Sequence, residues 1–136
     1  MSYEDDELAG NDEDLDLVDD DYLRRLYPLE ERPFSEAWRR AIGFKRNYRH
    51  YFNREQHRSL SYRGWTPKVA TIKKDLDELP ASDAIFLAAL VSFYNGDTGG
   101  RLLRGLGAQG LSDIAASLDQ QRRQILADLM MNYIGW

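Results

Sequence analysis

The strongest constraint on the fold is an unbroken apolar run at residues 84–91, eight side chains drawn only from Ala, Ile, Phe, Leu and Val. With Ser82 as a capping hydroxyl before it and Phe93 beyond it, the run sets Ile85, Phe86, Ala89, Leu90 and Phe93 on one helix. Such a helix is apolar nearly all round, as expected of an element enclosed by others. It is far shorter than the roughly 20 residues needed to span a bilayer. Elsewhere apolar residues recur at helical spacing, and nothing alternates at period two for long enough to argue a sheet. The reading is an all-α chain, a small bundle or orthogonal array of about five to six helices.

The remaining helices follow from caps and periodicity. Ser35 is placed to cap a first long helix, with Pro33 just outside it. On a helical wheel Ala37, Ala41, Phe44, Tyr48, Tyr51 and Phe52 share one face, and Arg39, Arg46, His50, Asn53, Arg54 and His57 share the other. Carried to residue 57, that helix has about 22 residues and a length of about 33 Å. Thr66 and Pro67 signal a second start, with Val69, Ile72 and Leu76 as its buried stripe and Pro80 as its stop. The Asn95–Gly100 stretch reads as a turn leading into a short helix that ends near Leu106. Residues 107–110 form a further turn. Ser112 caps a helix over 113–118, and Asp119 caps a last one reaching about Tyr133. Toward the end of the chain, Met130, Met131, Tyr133, Ile134 and Trp136 either cover the core or meet a second subunit.

Charge is segregated along the chain. Residues 1–31 hold 13 acidic and 2 basic side chains, residues 32–74 hold 12 basic and 2 acidic, and residues 75–136 hold 4 basic and 8 acidic. The blocks carry −11, +10 and −4, so the overall −5 averages opposed regions and excludes no anionic partner. The acid-rich start and its few large apolar groups predict a disordered arm over residues 1–21, ahead of a single helical domain over 22–136. Tyr22, Leu23, Leu26 and Tyr27 follow as a brief amphipathic segment ended by Pro28. It either caps the core or serves as a docking segment for a partner or for the protein's own basic face. An acidic rather than basic start argues against a targeting peptide and for a cytoplasmic location.

No constellation argues for an enzyme. The chain has no cysteine, and its two histidines, His50 and His57, stand seven residues apart. On one helix they would be separated by about 10.5 Å along the axis, too far to share a metal. Residues 96–100, Gly-Asp-Thr-Gly-Gly, resemble the nucleophile loop of trypsin-like serine proteases with Thr98 in the serine place. A triad would also require a histidine beside that hydroxyl and an oriented acid on a large β scaffold. The string therefore reads as a glycine-rich turn in which Asp97 caps the following helix. No cofactor is implied.

The basic block carries the functional reading. Its arginines and lysines are interleaved with Trp38, Phe44, Tyr48, Tyr51, Phe52, Tyr62 and Trp65. Arg39, Arg46, His50, Arg54, His57, Arg58, Lys68, Lys73 and Lys74 make up the candidate binding face, for phosphate or for an acidic protein. Residues 114–125, with Leu129 four beyond, are similar to a helix-turn-helix. That resemblance, placed within 111–129, implies that Gln121, Arg122, Arg123 and Gln124 face DNA. Asp119 stands where glycine is usual in that motif and Gln120 where an apolar plug is usual, and an ordinary helical hairpin has the same periodicity. The expected function is that of a non-enzymatic helical binding or regulatory protein acting through protein–protein contacts. The alternative is a DNA- or RNA-binding accessory protein that uses residues 32–74 and is autoinhibited by the acidic arm. No membrane partner is expected, and homo-oligomerisation is left open.

Overall fold

The computed structural model describes residues 28–54 and 60–136. The expected acidic arm, the docking segment Tyr22, Leu23, Leu26 and Tyr27, and the face residues His57 and Arg58 lie outside the described residues. The described residues form six α-helices: α1 (Arg32–Ile42), α2 (Val69–Asp75), α3 (Ala81–Tyr94), α4 (Gly96–Gly105), α5 (Leu111–Ser117) and α6 (Gln120–Met131). Short 3-10 turns at Leu29–Glu31, Arg46–Tyr51, Tyr62–Gly64 and Leu76–Glu78 supplement them. The domain is all-α, and its only β-type pairing among the described residues is the isolated antiparallel bridge between Phe52 and Pro67.

The apolar run becomes the buried centre of α3, where Phe86, Leu87, Ala88, Leu90 and Val91 have no exposed surface. Its helix starts one residue before Ser82, because Pro80 takes the cap position and its carbonyl accepts the Ala84 N–H at 2.9 Å. Ser82 therefore does not act as the cap.

The expected turn at 95–100 is instead the first turn of α4. Asn95, not Asp97, is the cap: its side-chain oxygen accepts the Thr98 N–H at 3.0 Å. Asp97 pairs with Arg101 one turn on, at 2.9 Å. Gly99 lets α4 lie against α3, since a Cβ there would come within 2.3 Å of the Ser92 Cα. The chain leaves α4 through Gly107, whose φ of +91° lies in the left-handed region that favours glycine. The next helix starts at Leu111 rather than after Ser112. The Asp113 carboxylate, not the Ser112 hydroxyl, accepts the free amides of Gln109 and Gly110 at 2.7 and 3.2 Å. Asp119 caps α6 as expected, accepting the Arg122 N–H at 2.8 Å.

The first long helix is not continuous. It starts at Arg32, so Pro33 falls in its first turn and Ser35 lies buried inside it, where the hydroxyl accepts the Tyr62 N–H at 3.0 Å. It ends at Gly43, a poor helix former. The chain then runs extended at Lys45, makes the 3-10 turn Arg46–Tyr51, and extends again at Phe52. Hydrogen bonds from Asn53 N–H to the Thr66 carbonyl (2.7 Å) and from Lys68 N–H to the Tyr51 carbonyl (2.8 Å) claim backbone groups that a helix would have needed. The same pairing holds Thr66 and Pro67 extended, so α2 begins at Val69 with Lys68 in the cap position.

Between α1 and the end of the chain lies an aromatic cluster. Trp136 packs edge-on against Tyr62 (4.6 Å), Trp38 (4.9 Å) and Tyr94 (5.1 Å), and the Tyr62 hydroxyl donates to the Gly135 carbonyl at 2.6 Å. Phe34 reaches Tyr133 at 5.7 Å. The apolar C-terminal stretch is thus divided. Trp136 joins the core, while Met130, Met131, Tyr133 and Ile134 remain exposed, Met131 by 83%.

Candidate anion-binding cleft

Arg122 lies on the first turn of α6, where the helix-turn-helix resemblance would aim it at DNA. The structure buries it to 5% exposure. Its guanidinium donates to Asp83 at 2.6 Å, to the Tyr48 hydroxyl at 3.1 and 3.2 Å, and to Asp119 at 2.5 Å. It also sits 4.7 Å from the centre of the Phe44 ring. Tyr48 donates in turn to Asp83 at 2.5 Å, and the Lys45 ammonium reaches the same carboxylate at 3.0 Å. Two cations thus face two carboxylates, and the buried Arg122 and Asp83 are both paired and hydrogen-bonded, the condition under which buried charge is tolerated.

Titration follows from that packing. Burial alone would raise the Asp83 pKa, but the hydrogen bonds from Tyr48 and Lys45 and the charges of Lys45 and Arg122 outweigh it, and the carboxyl titrates below its ordinary range. Burial and donation to Asp83 push Tyr48 upward. Tyr51, raised by burial and by its 2.8 Å bond to Asp75, moves to about 12. This cluster ties the 43–48 segment, α3 and α6 together.

The other proposed base readers are dispersed. Arg123 donates to the Ala115 and Leu118 carbonyls at 2.9 and 3.1 Å, closing the end of α5. Gln121 is exposed, and Gln124, also exposed, donates to Asp128 at 3.0 Å. The same Asp128 pairs with Arg40 of α1 at 3.0 Å.

The break after α1 builds something the helical wheel did not show. Arg39 from the last turns of α1, Arg49 from the 3-10 turn and Arg54 beyond it line one cleft of about 240 Å³ with Ile42, Gly43 and Trp65. Trp65 hangs from the core, since the fully buried Trp38 donates its indole N–H to the Trp65 carbonyl at 2.8 Å. The Arg54 guanidinium lies 5.5 Å from the centre of the Trp65 ring. No carboxylate is among the described residues that line it. Like charges gathered at one opening repel, and an anionic group between them relieves that repulsion. Guanidinium forks match the paired oxygens of a carboxylate or phosphate.

No protein-family model matches the chain, and neither does any curated protein or solved structure compared with it. Of the expected face, the cleft brings Arg39 and Arg54 together. Arg46 and His50 are exposed on the 3-10 turn, and Lys68, Lys73 and Lys74 belong to the start and end of α2; none of these lines the cleft. Arg49 was missed, because on a continuous helix it falls between the two faces. The signal that could have found it is Gly43, which marks where the wheel stops applying.

Among the described residues no group of three His, Asp or Glu is placed to hold a metal ion, and no helix is long and apolar enough to cross a membrane. A second cleft of about 220 Å³, beside the 106–108 loop and α5, has Asp113 as the only ionisable group among the described residues that line it. That carboxylate already accepts two backbone amides.

Proposed function

We propose that this protein is a non-enzymatic binding domain that captures an acidic segment of another protein in the Arg39–Arg49–Arg54 cleft. The observation that carries this reading is that three arginines from separate stretches of the chain line one small opening. At about 240 Å³ the cleft is smaller than the roughly 300–1,000 Å³ typical of small-molecule and cofactor pockets. It suits one or two acidic side chains reaching in from a surface. The Tyr48–Asp83–Arg122 cluster does not suggest catalysis. Its tyrosine is pushed away from the neutral range a general base needs, and its carboxylate is engaged on both oxygens.

Protein is favoured over nucleic acid on two grounds. Arg54 already lies over the Trp65 ring, the surface on which an unpaired base would stack. Arg122 and Arg123, which could have extended a phosphate track onto α6, are bonded within the fold. The test is fluorescence anisotropy with a labelled poly-glutamate peptide, a poly-glutamine control, and single- and double-stranded DNA, all at low salt. Binding of the glutamate peptide alone is expected, weakening as salt rises. Arg49→Gln should reduce it about tenfold, the loss of one charge-assisted contact. DNA binding tighter than the glutamate peptide would overturn this reading in favour of the nucleic-acid alternative.

A further inference from the structure

We infer that residues 12–21 of the chain occupy the arginine cleft when no partner is bound, so that a partner must displace them, an inference that rests on the cleft being a site for acidic segments. Seven of these ten residues are Asp or Glu and none is basic. They are the densest acidic stretch of the chain and lie just before its most basic block. The cleft is complementary in charge to this segment.

Reach decides whether this can happen within one molecule. The cleft lies at the Gly43 end of α1, and residue 28 lies before the other end of that helix. The 11 residues of α1 rise about 16 Å. Residues 21 and 12 are 7 and 16 positions before residue 28. At about 3.3 Å per residue an extended chain carries them up to roughly 23 and 53 Å from it. The segment therefore spans α1 with length to spare. Tethering holds it near the cleft at an effective concentration on the order of millimolar, so even a weak contact competes with a dilute partner. The affinity measured for a partner is then lowered by the fraction of molecules in which the cleft is already filled.

The chain contains no cysteine, so Leu15→Cys in the full-length protein takes a single nitroxide label. The readout is paramagnetic broadening of the Trp65 indole resonance. Broadening is expected at low salt. It should disappear at high salt, on addition of excess poly-glutamate peptide, and in an Arg49→Glu, Arg54→Glu background. A sharp Trp65 resonance at low salt, or broadening that survives charge reversal or competitor, would overturn the inference. A second measurement separates it from the reading on which it rests. With all seven acids of 12–21 changed to Asn or Gln in the full chain, poly-glutamate should bind at least about threefold tighter than to the unaltered protein. Equal binding to both proteins would overturn occupation by the segment and leave the cleft as an acidic-peptide site. Binding to neither would overturn both.

Discussion

Asp83 links more of the fold than any other carboxylate described. It accepts from Tyr48, Lys45 and Arg122, which come from two different parts of the chain. Removing its charge leaves Arg122 buried beside a neutral group. For Asp83→Asn the expected loss is about 3 kcal/mol, the lower end for breaking a buried pair because Arg122 keeps Asp119 as a partner, measured by urea unfolding at neutral pH. The pH dependence has a defined sign. The folded-state pKa of Asp83 is lowered, so its ionisation contributes stability that is fully present above the unfolded carboxyl value of about 4. That contribution declines as pH falls from there through the lower folded value. The acid limb of stability against pH should be shallower in Asp83→Asn than in the unaltered protein. An unchanged limb would assign acid sensitivity to other carboxylates.

At the scale of elements, the hairpin of α3 and α4 depends on a missing side chain. Gly99 faces Ser92 so closely that a Cβ would meet backbone atoms at 2.3 Å, and neither helix can yield without moving as a body. Gly99→Ala should therefore cost at least about 3 kcal/mol, the upper end of overpacking effects. Gly105 lies on the same helix with nothing within 4 Å of its Cβ position, and Gly105→Ala should stabilise by about 0.4–1 kcal/mol. Denaturant midpoints for the two variants check the contrast, and equal effects would discard the close-approach explanation. Gly99 also shows where sequence reading ran out. Glycines clustered after Asn95 look locally like a turn, whereas the need for Gly99 is set by a neighbouring helix. The α3 run and the Asp119 cap of α6 were legible because each signal is local. The end of α1 was not. The apolar face of its wheel continues correctly past Gly43, but Tyr48 bonds to Asp83 and the backbone of 51–53 pairs with 66–68. Those partners are distant in sequence, and they convert a predicted straight helix into a bend that moves Arg49 into the cleft.

Across the whole molecule the arginines divide into two kinds. Arg122 is enclosed, with acidic partners and aromatic rings around its guanidinium. Arg49 is exposed, its side chain makes no hydrogen bond or ion pair with the described residues, and it shares its cleft with Arg39 and Arg54. Composition treats the two alike, and their contributions should be opposite. Neutralising Arg122 removes the buried one of the two counter-charges of Asp83, leaving only the part-exposed Lys45, whereas neutralising Arg49 relieves repulsion at the surface. Arg122→Gln should lower the thermal midpoint by more than about 10 °C, from a loss of roughly 3 kcal/mol or more in a domain of this size. Arg49→Gln should leave the midpoint within about 3 °C of the unaltered protein, as exposed substitutions do, while weakening capture of the poly-glutamate peptide. Circular-dichroism melts of both variants beside the anisotropy titration make the comparison. A midpoint that falls as far for Arg49→Gln as for Arg122→Gln would mean that the cleft arginines hold the fold together, and the case for the cleft as a site for an anionic partner would be lost.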